Sequence, residues 1–334
     1  MNATIKLEKK HFPVLLKELT SIISPLYGGT FIDCTFGGGG YSEKILENNN
    51  NTVIAIDRDS AVESKADVLK KKFGKRFIFV NSTFKEINLI PKINKNIKAI
   101  IFDLGYSTNQ ILDYSKGLSF KSKGKLNMKM GINKFSAHEV VNKLEKDYLK
   151  KIFKYFGDEK NANLIAKKIE FERKKKLLNT EDLIKIIEGS YKKKYTKSHK
   201  STKVFQALRI FVNQEISQLI YGLINSFKIL PNGGYLIVVT FHSLEDKIVK
   251  FFFKNYSESS KISRYLPESK HEKKLFKLLN KKPIIPTEKE ISLNPSSRSA
   301  KLRYAIKIND QQNFEIFLKK FEDLINIENL HLKL

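Results

Sequence analysis

A chain of 334 residues with a formal net charge of +27 and one cysteine can bury a sizeable core, has no disulfide framework and lacks the partners of a thiolate metal centre. No run approaches the ~18 uninterrupted apolar residues of a membrane span, and the opening MNATIKLEKKHF carries no apolar signal core, so the expectation is a soluble, cytoplasmic protein with no membrane partner and no metal. The charge suits a polyanionic partner, but only seven of the 62 basic residues are arginine, a lysine bias that AT-rich codon drift also produces. Its distribution is more telling: residues 105–204 carry 25 basic and 11 acidic residues, about half of the whole excess.

The first hundred residues alternate as a βα series does. The apolar, β-branched runs TFIDCT (30–35), NTVIAIDRD (51–59), RFIFVNS (76–82) and IKAIIFDLG (97–105) read as buried strands, with helix-like YSEKILENN and SAVESKADVLKKKFG between them. Continuous apolar strands joined by right-handed crossovers make a parallel sheet, so the fold class is α/β, doubly wound and Rossmann-like. From Gly105 a long Gly-, Ser-, Asn- and Lys-rich loop takes over.

Three apolar-periodic segments follow, at 136–157, 161–176 and 179–191, the first opening with the capping pair Ser136 and Glu139 and the third with Thr180 near Glu181 and Asp182. After the basic stretch 192–203, residues 204–230 read as one long amphipathic helix, PNGG as a stop, YLIVVTFHS as a fifth strand, LEDKIVKFFFKNY as a helix and AKLRYAIKI as a last strand. The expected organisation is a discontinuous α/β domain (1–108 and 205–310), an inserted basic, all-helical domain (109–204) and a helical tail (311–334).

Four glycines, 37–40, stand between the first strand and its helix. A Walker loop is excluded because no lysine follows until Lys44, and the dinucleotide fingerprint is poor because its third glycine falls on Ser42. The remaining reading is a backbone brought close to a bulky ligand such as S-adenosylmethionine. Asp57 ends the second strand, where a carboxylate accepts ribose hydroxyls of either ligand. Asp103, Gly105, Tyr106 and Ser107 end the fourth, where an acceptor can take an amine N–H as positive charge develops on nitrogen. His242 lies at the fifth tip, as a base-contacting or proton-handling group or as a packed strand end, with Ser243 a plausible N-cap and Glu245 and Asp246 in the first helical turn. Cys34 reads as a buried packing residue.

Taken together, HFPVLLKE (11–18), DCTFGGGGYS (33–42), DLGYSTNQILDYSKGLSF (103–120), GKLNMKM (124–130), FQALRIFVNQEI (205–216), GGYLIVVTFHSLEDKIVK (233–250) and NPSSRSAKLRYA (294–305) resemble, in order, the ribosomal RNA small subunit methyltransferase H family. The resemblance implies a class I S-adenosylmethionine-dependent methyltransferase that N4-methylates a cytidine in the decoding centre of 16S rRNA, with the helical insertion as substrate domain. It implies cofactor contacts at Gly39, Gly40, Tyr41, Asp57, Phe84, Asp103 and Gln110, with Asp103, Ser107 and His242 at the reacting end. The partner implied is 16S rRNA within the small ribosomal subunit, bound by a monomer or homodimer. Candidate phosphate contacts are Lys174, Lys175, Lys176, Lys192, Lys193, Lys194 and Arg209. The chain departs from the family at Gly38 (arginine in relatives), Tyr41 (histidine), Tyr106 to Asn109 and Asn127 (aspartate). A nicotinamide oxidoreductase, which shares the loop and Asp57, and a non-catalytic RNA-binding module, which explains the charge, are the rival classes.

Overall fold

The computed structural model describes residues 13–26, 28–91, 96–105, 116–118, 126–131, 133–191, 199–257 and 274–334. Its centre is a seven-stranded sheet in the order β3-β2-β1-β4-β5-β7-β6. The strands are β1 (Gly29–Asp33), β2 (Asn51–Asp57), β3 (Phe77–Asn81), β4 (Ile97–Asp103), β5 (Tyr235–Thr240), β6 (Phe276–Leu278) and β7 (Lys301–Lys307). The first five pair in parallel, and β7 and β6 complete the edge antiparallel. This is the doubly wound, Rossmann-like α/β fold expected from the βα alternation.

The period of two along each strand sends alternate residues to opposite faces. Phe31, Val53, Ala55, Ala99, Ile101 and Val239 pack under α1 (Leu16–Ile23), α2 (Gly40–Leu46) and α3 (Glu63–Phe73). Ile32, Ile54, Ile100, Phe102 and Val238 face the other way, in a core that continues into the helices between β4 and β5. The first four of those helices are α4 (Ala137–Lys143), α5 (Lys146–Gly157), α6 (Ala162–Arg173) and α7 (Thr180–Glu188). Ser136 and Glu139 form the expected capping box on α4, whereas the cap of α7 is Asn179 with Asp182, one residue before the expected Thr180. Segment 136–157 is two helices, because Leu144 and Glu145 turn extended between α4 and α5.

The apolar run 204–230 is likewise not one helix. It breaks into α8 (Thr202–Asn213) and α9 (Glu215–Ile229) at Gln214, which is left-handed at φ 50°. The break frees the first amides of α9, and a carboxylate from elsewhere takes them. Glu328, fully buried on α12 (Glu315–Glu328), accepts from Ile216 N–H at 2.8 Å, from Ser217 N–H at 2.7 Å and from the Ser217 hydroxyl. At the other end of α9, the buried Lys307 ammonium donates to the carbonyls of Phe227 (2.8 Å) and Leu230 (2.6 Å). Between these, α10 (Ser243–Ser257) follows β5 and the short α11 (Glu288–Leu293) precedes β7; α1, α11 and the three-residue β6 were not foreseen from periodicity. Among the described residues no helix is long and apolar enough to cross a membrane.

Burial pushes the Glu328 carboxyl up to about 8, against the three donors that favour its charged form. Replacing it by alanine strands those donors at a helix start. Glu328→Ala should lower stability by about 2–3 kcal/mol, read as a shifted urea midpoint at unchanged slope.

Candidate functional site

The carboxyl ends of β1, β2, β4 and β5 open on one crevice, the position at which open α/β sheets take ligands. The turn after β1 closes through Gly39 N–H to Phe36 O (2.7 Å) and is held to β2 by Phe36 N–H to Ile56 O (3.0 Å). Asp57 organises both tips: its Oδ2 accepts Gly37 N–H at 2.8 Å and its Oδ1 accepts Asp59 N–H at 2.9 Å. Burial raises its carboxyl, opposed by these donors, and each oxygen keeps a lone pair for a ligand hydroxyl.

The glycines divide by what surrounds them. Gly38 has open space where a side chain would stand. Gly39 is at φ 79°, and a Cβ there would come within 2.9 Å of the Phe36 ring. Gly40 and Tyr41, expected against a cofactor, instead meet the chain's N-terminal segment. A Cβ on Gly40 would run into the Pro13 ring, and the buried Tyr41 hydroxyl donates to Val14 O.

Below the turn lies Asp33, which sequence reasoning did not select. It is sealed at the end of β1, accepting from Ser42 Oγ at 2.7 Å and Thr35 N–H at 3.2 Å, and burial pushes it up to about 6. Thr35 Oγ1 in turn accepts Asp103 N–H at 2.7 Å, joining the β1 and β4 tips. Asp103 is where the sequence placed it, and its Oδ1 is buried with no hydrogen-bond partner among the described residues. Burial first, then the charges of Asp33 and Glu245, drive its carboxyl well above the usual range. A buried acceptor left without a partner at a strand tip calls for a donor or cation that the described residues do not supply.

The β5 tip is built differently from expectation. His242 caps α10 instead of facing the crevice: Nδ1 accepts Glu245 N–H at 3.3 Å, and Nε2 lies sealed 3.0 Å from Glu245 Oε1 without an aligned hydrogen bond. Glu245 Oε2 accepts the N–H groups of Phe241 (2.8 Å) and His242 (3.2 Å). Burial would raise Glu245, but His242, Arg209 and the Phe241 amide outweigh it and hold the carboxyl low. Asp246, expected to serve helix capping, pairs with Arg303 (2.8 Å) and Lys301 (3.0 Å) on β7.

Glu215, His242 and Glu245 bring ligand atoms within 4.8 Å of one another, the spacing of a metal site. Arg209 already grips Glu215 with two 2.8 Å bonds and supplies the positive charge there. Arg209 is therefore a buried ion-pair partner and not the exposed phosphate contact its motif suggested.

Phe84 stands after β3, half-buried and edge-on to Phe102 at 5.3 Å, over Gly222, where a Cβ would come within 2.8 Å of its ring. Lys174, Lys175 and Lys176 are exposed beyond α6, with Lys175 paired to Glu172 (3.0 Å) and Lys176 to Asp182 (2.7 Å). Ser107, Gln110, Lys192, Lys193 and Lys194 lie outside the described residues.

Sequence reasoning also missed the fastening of the crevice's far wall. Asn213, buried at the α8–α9 break, donates to Met128 O (2.9 Å) and accepts Met130 N–H (2.9 Å) and the Asn133 amide. Arg58, next to Asp57, donates to Asn213 O (2.9 Å) and to Asn133 Oδ1, and Lys116 pairs with Asp59 at 2.6 Å. Chain leaving β4 is thus fastened beside β2, on the opposite side of β1. The available signal was an asparagine at a core position of an otherwise apolar helical pattern.

Comparison with known proteins agrees with this architecture. The family model described as the MraW methylase family matches residues 8–308. A ribosomal RNA small subunit methyltransferase H of Orientia tsutsugamushi (strain Ikeda) is 42% identical over 310 residues, covering 90% of this chain and 99% of that protein. One of the same name from Bartonella bacilliformis is 39% identical over 326 residues, covering 96% and 97%. Among solved structures, an rRNA methylase of Streptococcus thermophilus aligns with a TM-score of 0.37 at 9% identity, over 90% of this chain and 99% of that one.

Asp33 yields a pH signature. Its carboxyl titrates near 6 when folded and near 3.8 when not, so between those values the folded chain holds a proton that the unfolded chain releases. The stability tied to that proton is fully present below about pH 3.8 and is lost as pH rises through 6, a change of up to about 3 kcal/mol. Asp33→Asn should flatten that decline in urea titrations between pH 4 and 7; an unchanged slope would remove Asp33 as its source.

Proposed function

The chain belongs to the MraW methylase family, and we propose from that premise that it methylates the exocyclic N4 amine of a cytidine in the decoding centre of 16S ribosomal RNA. It is an S-adenosylmethionine-dependent rRNA methyltransferase; the cytidine, its position and the N4 atom are the proposed refinement. The carrying observation is the Asp103 Oδ1 at the β4 tip, buried with no hydrogen-bond partner among the described residues, on the same edge of the sheet as the Asp57 carboxylate at the β2 tip.

The residues present fit this cofactor. Asp57 offers a free lone pair on each oxygen to two ribose hydroxyls, the Gly38–Gly39 backbone leaves room along the methionine side, and Phe84 covers an adenine face. When bound, S-adenosylmethionine supplies a methyl group made electrophilic by its sulfonium. The protein's contribution is orientation and charge.

The lone pair of a cytosine amine is delocalised into the ring, and an acceptor on its N–H localises it. Asp103 provides that acceptor at the β4 tip. Its carboxyl holds a proton readily while buried among Asp33 and Glu245, and a cationic centre or an amine N–H against Oδ1 reverses this preference. Ser107 is assigned to the target and Gln110 to the cofactor, as the family resemblance implies. His242 enters this scheme as a brace for the β5 tip, because both ring nitrogens face Glu245. The helical block 109–204 serves as substrate domain in the cytoplasm, where small subunits are assembled. The oxidoreductase alternative loses its ground to family membership.

Asp103→Ala should reduce transfer of labelled methyl to small ribosomal subunits by at least about 100-fold while the fold, followed by circular dichroism, persists. Mass spectrometry of digested nucleosides tests the target: N4-methylcytidine is expected, and another methylated nucleoside would replace the assignment. Near-normal transfer by Asp103→Ala would remove its role.

A further inference from the structure

Helix α6 carries an exposed stripe that the core does not use. Positions 160, 164, 167, 171 and 174 recur at spacings of four and three, so they share one face of the helix and its flanking turns. They are Lys160, Leu164, Lys167, Phe171 and Lys174, and all five are exposed. The opposite face, with Ala162, Ile165, Ala166 and Ile169, is buried in the core. Phe171 is 60% exposed and Leu164 43%, two turns apart on the same face, so apolar and cationic side chains alternate along it. Lys175 lies over the Phe171 ring at 4.2 Å. Glu170 borders the stripe, three residues after Lys167 and four before Lys174, but Lys160, Lys167 and Lys174 form no ion pair among the described residues, although ion-paired lysines stand nearby.

Alternation of ammonium groups with flat or apolar side chains is the pattern of a surface that follows a nucleic-acid strand, with phosphates on the lysines and unstacked bases on the ring. The face is roughly 20 Å long at ~1.5 Å per residue, enough for about three nucleotides. A protein partner would favour carboxylate-complementary, arginine-rich chemistry with a wider apolar centre, which this narrow stripe lacks. Arg173, beside the stripe, is tied to the carbonyls of Val141 (3.1 Å) and Leu144 (2.6 Å). The stripe is thereby joined to α4, which directly follows the chain fastened along the crevice at Asn213.

We infer that the outer face of α6 is a contact surface for single-stranded rRNA flanking the target nucleotide, with Phe171 as a base-stacking platform and Lys160, Lys167 and Lys174 as phosphate contacts. The inference rests on the rRNA methyltransferase reading above. All the residues concerned are exposed, so substitutions leave the core untouched.

The test uses full-length protein and an unmodified 16S rRNA transcript in filter binding from low to moderate salt, with S-adenosylhomocysteine affinity measured by calorimetry and mass by light scattering. Lys160→Glu/Lys167→Glu/Lys174→Glu should weaken RNA binding at least 10-fold and reduce the salt slope by about 2, from ~0.7 per phosphate contact. Phe171→Ala should weaken it roughly 5- to 100-fold with little change in slope. Cofactor-product affinity should stay at the wild-type value for both. Wild-type RNA affinity in both variants would overturn the surface while leaving the methyltransferase reading intact. Unchanged RNA binding with altered particle mass would assign the face to self-association instead. A wild-type protein that binds S-adenosylhomocysteine but no rRNA would overturn both readings together.

Discussion

The buried carboxamide of Asn213 is the interaction on which the site's geometry depends. One side chain spends its donors on Met128 O and Arg209 O and its acceptor on Met130 N–H and the Asn133 amide, while its own carbonyl takes Arg58. Leaving any of these unsatisfied in the interior is costly, so the helix break, the chain after β4 and the turn after β2 assume one arrangement together. Met128 shows the constraint: a non-glycine residue at φ 57°, fully buried, retained because Lys116 O and Asn213 hold its amide and carbonyl. The C-terminal helix enters the same junction through Glu328, and His331 stacks on Phe135 at 5.4 Å.

Around that frame the crevice concentrates carboxylates. Asp33 and Asp103 sit at adjacent strand tips with raised affinities for protons, whereas Glu245 is held ionised and Glu215 is gripped by Arg209. The difference follows from partners. Glu245 has two backbone donors and a histidine, Asp33 has a hydroxyl and an amide, and Asp103 Oδ1 has no partner among the described residues. An enzyme whose cofactor is a sulfonium, and whose nucleophile becomes cationic as it reacts, gains most from an acceptor left uncompensated until the ligands arrive.

The sheet was legible from sequence because buried parallel strands are continuous apolar runs, and their tips exposed Asp57 and Asp103 as the ends of those runs. The helix break at Gln214 was not legible, because apolar period persists across it and only the tertiary partners of Asn213 force the turn. Arg209 looked like a phosphate contact on a basic chain, and its carboxylate partner Glu215 came within bonding distance through that same break. His242 was correctly located at the β5 tip, yet which way an imidazole turns depends on Glu245 one helical turn on, a choice that position alone does not make. The packing of Gly40 against Pro13 and of the Tyr41 hydroxyl on Val14 O was not legible either, since those partners lie 27 residues away in sequence.

The glycine run shows how one motif serves separate demands. Asp57 requires an amide at position 37, the Phe36 ring and a left-handed backbone require glycine at 39, and Pro13 requires it at 40. Position 38 alone of the four faces open space, and a side chain there would strain nothing and leave the turn's backbone bonds intact, so the frame sets no requirement for glycine at it. In a chain with an excess of 27 positive charges, electrostatic attraction for a polyanion does not depend on that one residue.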